Sequence, residues 1–187
     1  MIFFEKIGNF LIRAFNDVSK YIAFTYQCLF YMFAPPYRFG QIADHTEKIG
    51  IQSIVIVALS TFTTGMILSL QLINIMQLFG AESFAGAGVA ISMSRELAPV
   101  ITAIVLIAKN GSSMTAEIGS MKVTEQIDAM ETMAVSPVRY LVIPRIFASL
   151  MVFPALTALA NVVGIYGGYF VANTSAMINS TSYMHTM

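Results

Sequence analysis

Charge is what this 187-residue chain has least of: Asp, Glu, Lys and Arg make up 11% of it, where a soluble domain carries about 25%. Hydrophobic residues make up 57%, and a chain of this length leaves roughly a third of its unfolded surface exposed on folding. Too few polar residues are present to cover that surface in water, which excludes an ordinary soluble domain. The ten basic and ten acidic residues cancel, so no net field favours nucleic acid or a strongly acidic substrate. A single cysteine, Cys28, excludes an internal disulfide and a thiolate cluster. The two histidines, His45 and His185, lie far apart and outside the long apolar runs, which removes a histidine metal site or a serine–histidine dyad within a membrane. Those runs contain no aspartate either, so a paired-aspartate intramembrane protease is excluded. Lys109-Asn-Gly-Ser-Ser has the residue types of a P-loop but not their order, and ATP is not expected on this chain. No catalytic residue, metal or cofactor is therefore expected. Charges at Glu5, Lys6, Arg13, Asp17 and Lys20 interrupt any signal-peptide core.

What is present is apolar sequence in long runs. Residues 49–81 hold 33 residues without a charge, and about 20 suffice to cross the hydrocarbon core. A second run, residues 83–108, carries Arg95 and Glu96 as its charges, and a third, 146–184, has none. The third is apolar to about Val171; from Asn173 to Met187 it is rich in Asn, Ser and Thr and reads as an aqueous loop or tail. The predicted fold is an all-α polytopic membrane helix bundle, a membrane domain over 49–187 with spans at about 49–80, 86–108 and 146–171. Ahead of it, over residues 1–34, Phe3, Ile7, Phe10, Leu11, Ala14, Phe15, Val18, Tyr21 and Ile22 recur at three and four, while Lys6, Arg13 and Lys20 line the other face. This amphipathic helix either lies in the headgroup plane or packs on the rest of the protein. Pro35 and Pro36 break it, and 35–48 reads as a polar connector. Nine of the ten basic residues precede the first span or fall between the second and third. The N-terminus and the loop 111–145 are therefore expected on the cytoplasmic side, and the tail outside.

Polar chemistry is confined to a few places. Arg95 and Glu96 sit inside the second run, where an ionisable side chain costs about 2.5–3.5 kcal/mol, unless the span starts after them and leaves both at the outer interface. Pro99, one turn on, is expected to bend the helix. In the first span, Leu68, Gln71, Leu72, Ile75 and Phe79 form a stripe at helical spacing, which serves either helix packing or an apolar ligand. In the loop 111–145, Thr124 can cap a helix whose first turn holds Glu125. Ile127, Met130 and Ala134 share one face, and Glu125, Asp128 and Glu131 another, before Pro137 ends it. Such a helix is either a solvated linker or an element that docks in a groove on a soluble partner. Small residues at Gly86 and Gly88, at Gly111 to Ser113, and at Gly164, Gly167 and Gly168 permit close helix approach within the chain or between two copies.

The runs Ser94-Arg-Glu-Leu-Ala-Pro-Val100, Lys109-Asn-Gly-Ser-Ser-Met-Thr-Ala-Glu-Ile-Gly-Ser-Met121, Val123-Thr-Glu-Gln-Ile-Asp-Ala129, Met133-Ala-Val-Ser-Pro-Val-Arg-Tyr140 and Pro144-Arg145 closely resemble the MlaE/YrbE permease family. Its members are membrane subunits of ABC transporters that work with MCE proteins in moving phospholipids and other lipids. The likeness runs from about Gly65 to Gly168. It implies a homodimer in the bacterial cytoplasmic membrane with a lipid cavity between the copies, seated on two ATPase subunits and touching MCE-domain rings outside; some members add a STAS-domain partner. It also implies that Thr124, Glu125, Asp128, Ala129 and Glu131 belong to a coupling helix against the ATPase. Arg95 and Glu96 would lie near the cavity, and Leu68, Gln71, Leu72, Ile75 and Phe79 would give lipid contacts. The implied mechanism is alternating exposure of that cavity. The family continues with further spanning helices, so this chain is expected to be a C-terminally shortened member. A non-transporting membrane scaffold that recruits a soluble partner is the alternative; a channel is disfavoured by the lack of charge rings and carbonyl-filter motifs.

Overall fold

Helices account for all the regular structure in the computed structural model, which describes residues 2–33, 39–81 and 84–174. In chain order they are α1 (Ile2–Phe33), α2 (Phe39–Leu78), α3 (Ala85–Ser92), α4 (Ala98–Leu106), α5 (Ser112–Val123), α6 (Gln126–Thr132) and α7 (Ile143–Thr174). Wide π turns at Met93–Leu97 and Ile107–Gly111 join α3, α4 and α5, and a third, Val138–Val142, leads into α7. Three rods result, Phe39–Leu78, Ala85–Val123 and Val138–Thr174, of 40, 39 and 37 residues, each long and apolar enough to cross a membrane. The chain is an integral membrane protein with the all-α polytopic architecture its sequence predicts. At 1.5 Å per residue a helix of 40 residues is about 60 Å long, roughly twice the hydrocarbon thickness. Each rod therefore extends well beyond the lipid core.

The most extensive interface joins α2 to α7. Along α2 the buried residues are Ile49, Ser53, Val57, Thr61, Gly65, Ser69 and Ile73, a step of four throughout. Along α7 the same step runs through Ala148, Val152, Leu156, Ala160, Gly164, Gly168 and Ala172. Rows of this spacing are the ridges that interdigitate when two helices cross. Lipid is as apolar as leucine, so close contact of small residues, rather than escape from water, holds such a pair. A Cβ on Gly65 would stand 1.9 Å from the carbonyl oxygen of Gly164, and one on Gly167 would stand 2.4 Å from that of Phe62. The two backbones therefore touch. Gly50 meets Val152 and Gly65 meets Gly164, so α2 and α7 run parallel; Leu72 against Gly88 and Ser53 against Asn110 set the middle rod antiparallel. Two threonine hydroxyls in this apolar setting are satisfied on the preceding turn: Thr61 donates to the Val57 carbonyl at 2.9 Å and Thr157 to that of Phe153 at 2.8 Å.

Three local expectations change. The stretch read as a connector over 35–48 is helical from Phe39 onward, because polar residues such as Gln41, Glu47 and Lys48 are good helix formers when the turns lie outside the lipid. The loop 111–145 is largely helical as well, since α5 continues the second rod to Val123. Pro99, where a bend is expected, directly follows a π turn: the Ala98 N–H donates to Met93 five residues back, and α4 continues with proline in its first turn, a change of hydrogen-bond register of the kind that accommodates proline within a helix. Pro35 and Pro36, and the tail from Ser175, lie outside the described residues.

α1 touches the Val138–Val142 turn and the start of α7. Leu11, Phe15, Ile22, Phe30 and Phe33 on it are uncovered by protein, with Arg13, Asp17 and Lys20 breaking the apolar surface. Cys28 is the buried residue among its described side chains, and burial pushes the pKa of its thiol up.

Candidate functional site

Apart from Arg95 and Glu96, the charged residues of the three rods gather at one end. There the first turns of α2 meet α5 and the start of α7 around a small polar pocket bordered by His45, Lys48, Gln52, Asn110, Glu117 and Arg145. Arg145 is buried, and its Nη2 donates to Glu117 Oε2 at 2.8 Å. Lys109 and Asn110 lie in the Ile107–Gly111 π turn, whose extra residue shifts the face that the following residues present. Asn110 is turned inward, and Ser53 donates to its Oδ1 at 3.4 Å. Lys109 donates to the Gln52 carbonyl and, at 3.3 Å, to Ser53 Oγ. These contacts tie α2, α5 and α7 together by polar groups at the level where the apolar packing ends.

The Arg145–Glu117 pair was not singled out from sequence. Its signal was available: ionisable residues flanking apolar spans require partners on neighbouring helices, and these two flank the second and third rods. Breaking such a pair leaves a buried charge, at a cost of about 3–5 kcal/mol when both partners are buried. Glu117 is 36% exposed, so the Glu117→Ala loss is expected at the lower end, about 1–3 kcal/mol. The joint change Glu117→Gln with Arg145→Met is expected to recover most of it, as apolar replacements of buried pairs do. Thermal melting of the detergent-solubilised chain checks both; equal melting of the parent and Glu117→Ala would remove the pair's structural role.

Beyond the pocket, α5 turns sharply into α6. Thr124 does not cap the second helix; its hydroxyl donates back to the Ser120 carbonyl at 2.9 Å and it closes α5. Glu125 is the residue that opens α6, in the left-handed region at φ 57°, and its carbonyl receives the Ala129 N–H at 2.9 Å. Lys122 is hydrogen-bonded to the Asp128 carboxylate across the corner. No residue of α6 is buried; Glu125, Asp128, Ala129 and Glu131 are all exposed, while Ile127 and Met130 are half-buried. Ala134, at φ 59°, turns the chain back toward α7. Left-handed conformation costs a non-glycine residue about 1–2 kcal/mol, so Ala134→Gly is expected to raise stability by up to about 1 kcal/mol after the entropy of glycine in the unfolded chain is set against it. A rise of a few degrees in melting temperature is the observable; a fall would show that Ala134 holds its turn by other contacts.

The residues expected at the cavity are dispersed in the single chain. Leu68 and Leu72 are partly buried and pack on the central core cluster. Gln71, Ile75 and Phe79 are exposed. Arg95 and Glu96 lie in the Met93–Leu97 π turn, both exposed, with no ion pair to either among the described residues. None of these seven residues borders the polar pocket or the apolar groove beside it.

A bundle of three crossing helices whose polar contacts collect at one end, with a short exposed helix projecting beyond them, has the form of a polytopic membrane protein. Residues 42–187 match the family of the permease MlaE. A probable ABC transporter permease of Rickettsia bellii is 35% identical over 180 residues, which cover 96% of this chain and 70% of that protein. The intermembrane phospholipid transport system permease protein MlaE of Haemophilus influenzae is 41% identical over 150 residues, covering 80% of this chain and 58% of that protein. The chloroplast protein trigalactosyldiacylglycerol 1 of Arabidopsis thaliana is 35% identical over 119 residues, 64% and 34% of the two chains. The chain belongs to the MlaE permease family, and its role is that of a permease.

Proposed function

We propose that this chain forms the membrane path of an ATP-driven transporter of phospholipid or a related lipid, and that it takes its energy from a separate ATPase that docks on α6. The observation that carries the reading is α6 itself: seven residues, none buried, held off the bundle between left-handed residues at Glu125 and Ala134 and braced by the Lys122–Asp128 pair. An acidic, exposed helix on a rigid corner is suited to a groove on a soluble partner, and Thr124, Glu125, Asp128, Ala129 and Glu131 make its contact surface. The Haemophilus relative's name, a permease of intermembrane phospholipid transport, supports the lipid as cargo. On the positive-inside rule the end bearing Lys48, Lys109, Lys122 and Arg145 faces the cytoplasm of a bacterial inner membrane, N-terminus included. α1, with its uncovered aromatic and aliphatic side chains, lies along the headgroups there.

A homodimer with the lipid cavity between copies gives Gln71, Ile75, Phe79, Arg95 and Glu96, all exposed in one chain, a surface to face. Leu68 and Leu72 support that surface from behind. Outside, an MCE-domain protein would receive or deliver the lipid, and a STAS-domain protein is a further candidate partner. Affinity purification of the tagged chain from its native membrane tests the reading. Recovery of a P-loop ATPase subunit with the chain is expected; recovery of the chain with soluble partners but no nucleotide-binding subunit would favour a scaffold instead.

A further inference from the structure

Arg145 is 5% exposed, yet Glu117 accounts for only one of its nitrogens. Its Nε and Nη1 have no partner, nor does Nδ2 of Asn110, which is 7% exposed. All three are donors, and an unpaired buried donor costs about 1–3 kcal/mol. Both residues border the polar pocket, together with Lys48 and His45. Two permanent cations against one carboxylate leave the pocket positive, and it has room for about 20 Å³ at its enclosed part, enough for one oxygen atom. An acceptor oxygen, preferably an anionic one, is the missing partner.

On the other side of Arg145 lies a nearly wholly apolar groove of about 530 Å³, between α5 and α7, bordered by Ile118, Ile146, Leu150, Phe153 and Pro154. That volume is within the range of small-molecule sites. Arg145 and Met114 border both openings. A positive, donor-rich pocket that shares Arg145 and Met114 with an apolar trough, at the depth where the polar contacts of the bundle begin, matches an amphiphile with an anionic head.

We propose that this end of the chain holds a phosphate-bearing lipid, one phosphate oxygen among Arg145, Asn110 and Lys48 and an acyl chain along the groove. This site is separate from the cavity residues Leu68 to Phe79, Arg95 and Glu96. It rests on the reading of the chain as a membrane permease with this end at a headgroup layer, but not on ATPase coupling, so its failure would leave the docking of α6 untouched.

The test is ligand binding to the purified full chain in detergent, followed by native mass spectrometry and titration. Three probes are used: phosphatidylglycerol, diacylglycerol of the same chains, and inorganic phosphate. Phosphatidylglycerol is expected to bind at least tenfold more tightly than diacylglycerol, and inorganic phosphate to compete only weakly. Lys48→Gln, at the exposed rim, is expected to weaken phosphatidylglycerol several-fold without unfolding the chain. Glu117→Gln removes the competing carboxylate and is expected to tighten it, a gain that a merely structural role for Glu117 would not give. Leu150→Trp, filling the groove, is expected to weaken the lipid but not inorganic phosphate. Equal binding of phosphatidylglycerol and diacylglycerol would overturn the proposal. So would indifference to both Lys48→Gln and Glu117→Gln, or tight binding of inorganic phosphate with no preference for the lipid.

Discussion

Asp128→Lys is expected to abolish recovery of the ATPase with the chain while leaving the chain inserted and folded. The two halves of that outcome have different physical origins. The Lys122–Asp128 pair is half open to solvent, 61% and 50% exposed on its two sides, and pairs of that kind contribute at most about 1 kcal/mol. Asp128 is exposed and no residue of α6 is fully buried, so reversing one charge there leaves the packing of α2 against α7 intact. At a docked interface the same reversal sets an ammonium where a carboxylate met its partner. Like charges so opposed cost several kcal/mol, on the order of 100-fold or more in affinity. Glu125→Lys is expected to act in the same direction, with lipid-linked activity lost in both variants. Ordinary recovery of the ATPase with both would remove α6 from the coupling role.

The largest effect on the fold itself is expected at Gly65. A side chain there would need 1.9 Å between its Cβ and the Gly164 carbonyl oxygen, and a backbone atom in the middle of a helix cannot swing aside. Gly65→Val therefore has to push α7 off α2 along most of their length, at more than the 1–3 kcal/mol of ordinary overpacking. Loss of a monodisperse, cooperatively melting species in detergent is the expected result. Gly164→Ala should be milder, because the nearest atom is the terminal methyl of Met93 at 2.1 Å, a flexible side-chain end, and the Thr61 carbonyl oxygen is at 3.3 Å. Gly119→Ala meets nothing within 4 Å and is expected to be neutral or stabilising by about 0.5–1 kcal/mol, as an exposed helical glycine replaced by alanine. If Gly65→Val melts like the parent, the close backbone contact is not what holds the rods together.

The three rods were legible because a charge-free run much longer than the bilayer has one economical solution, a helix with its backbone bonds satisfied internally. Their ends were not. Phe39 to Lys48 and Ser112 to Val123 are rich in polar residues, which form helix without leaving an apolar period to count, so the first looked like a connector and the second like a loop. The glycines of α7 were marked as a close-packing surface, and the structure spends Gly164 and Gly167 within the chain. Gly65, which meets Gly164, lies far from the other glycines of α2, Gly40 and Gly50, and carried no pattern until the four-residue row of buried positions appeared. α6 was visible through its acidic spacing, but its cap was misassigned: Thr124 bonds backward, and the left-handed turn at Glu125 is set by the corner rather than by a local preference of glutamate. The Arg145–Glu117 pair joins residues on different rods, and a sequence read one helix at a time has no term for it.

The single cysteine gives the most direct test of the central claim that α6 is where the ATPase engages. Cys28 is buried and its thiol pKa is raised, and Cys28→Ser removes it altogether. In that background, Asp128→Cys carries a thiol on α6 and Asn74→Cys one near the far end of α2, exposed there. After treatment of native membranes with a short bifunctional thiol–amine reagent, the account predicts a cross-link from position 128 to a nucleotide-binding subunit and none from position 74. A cross-link to that subunit from position 74, with position 128 silent, would contradict it.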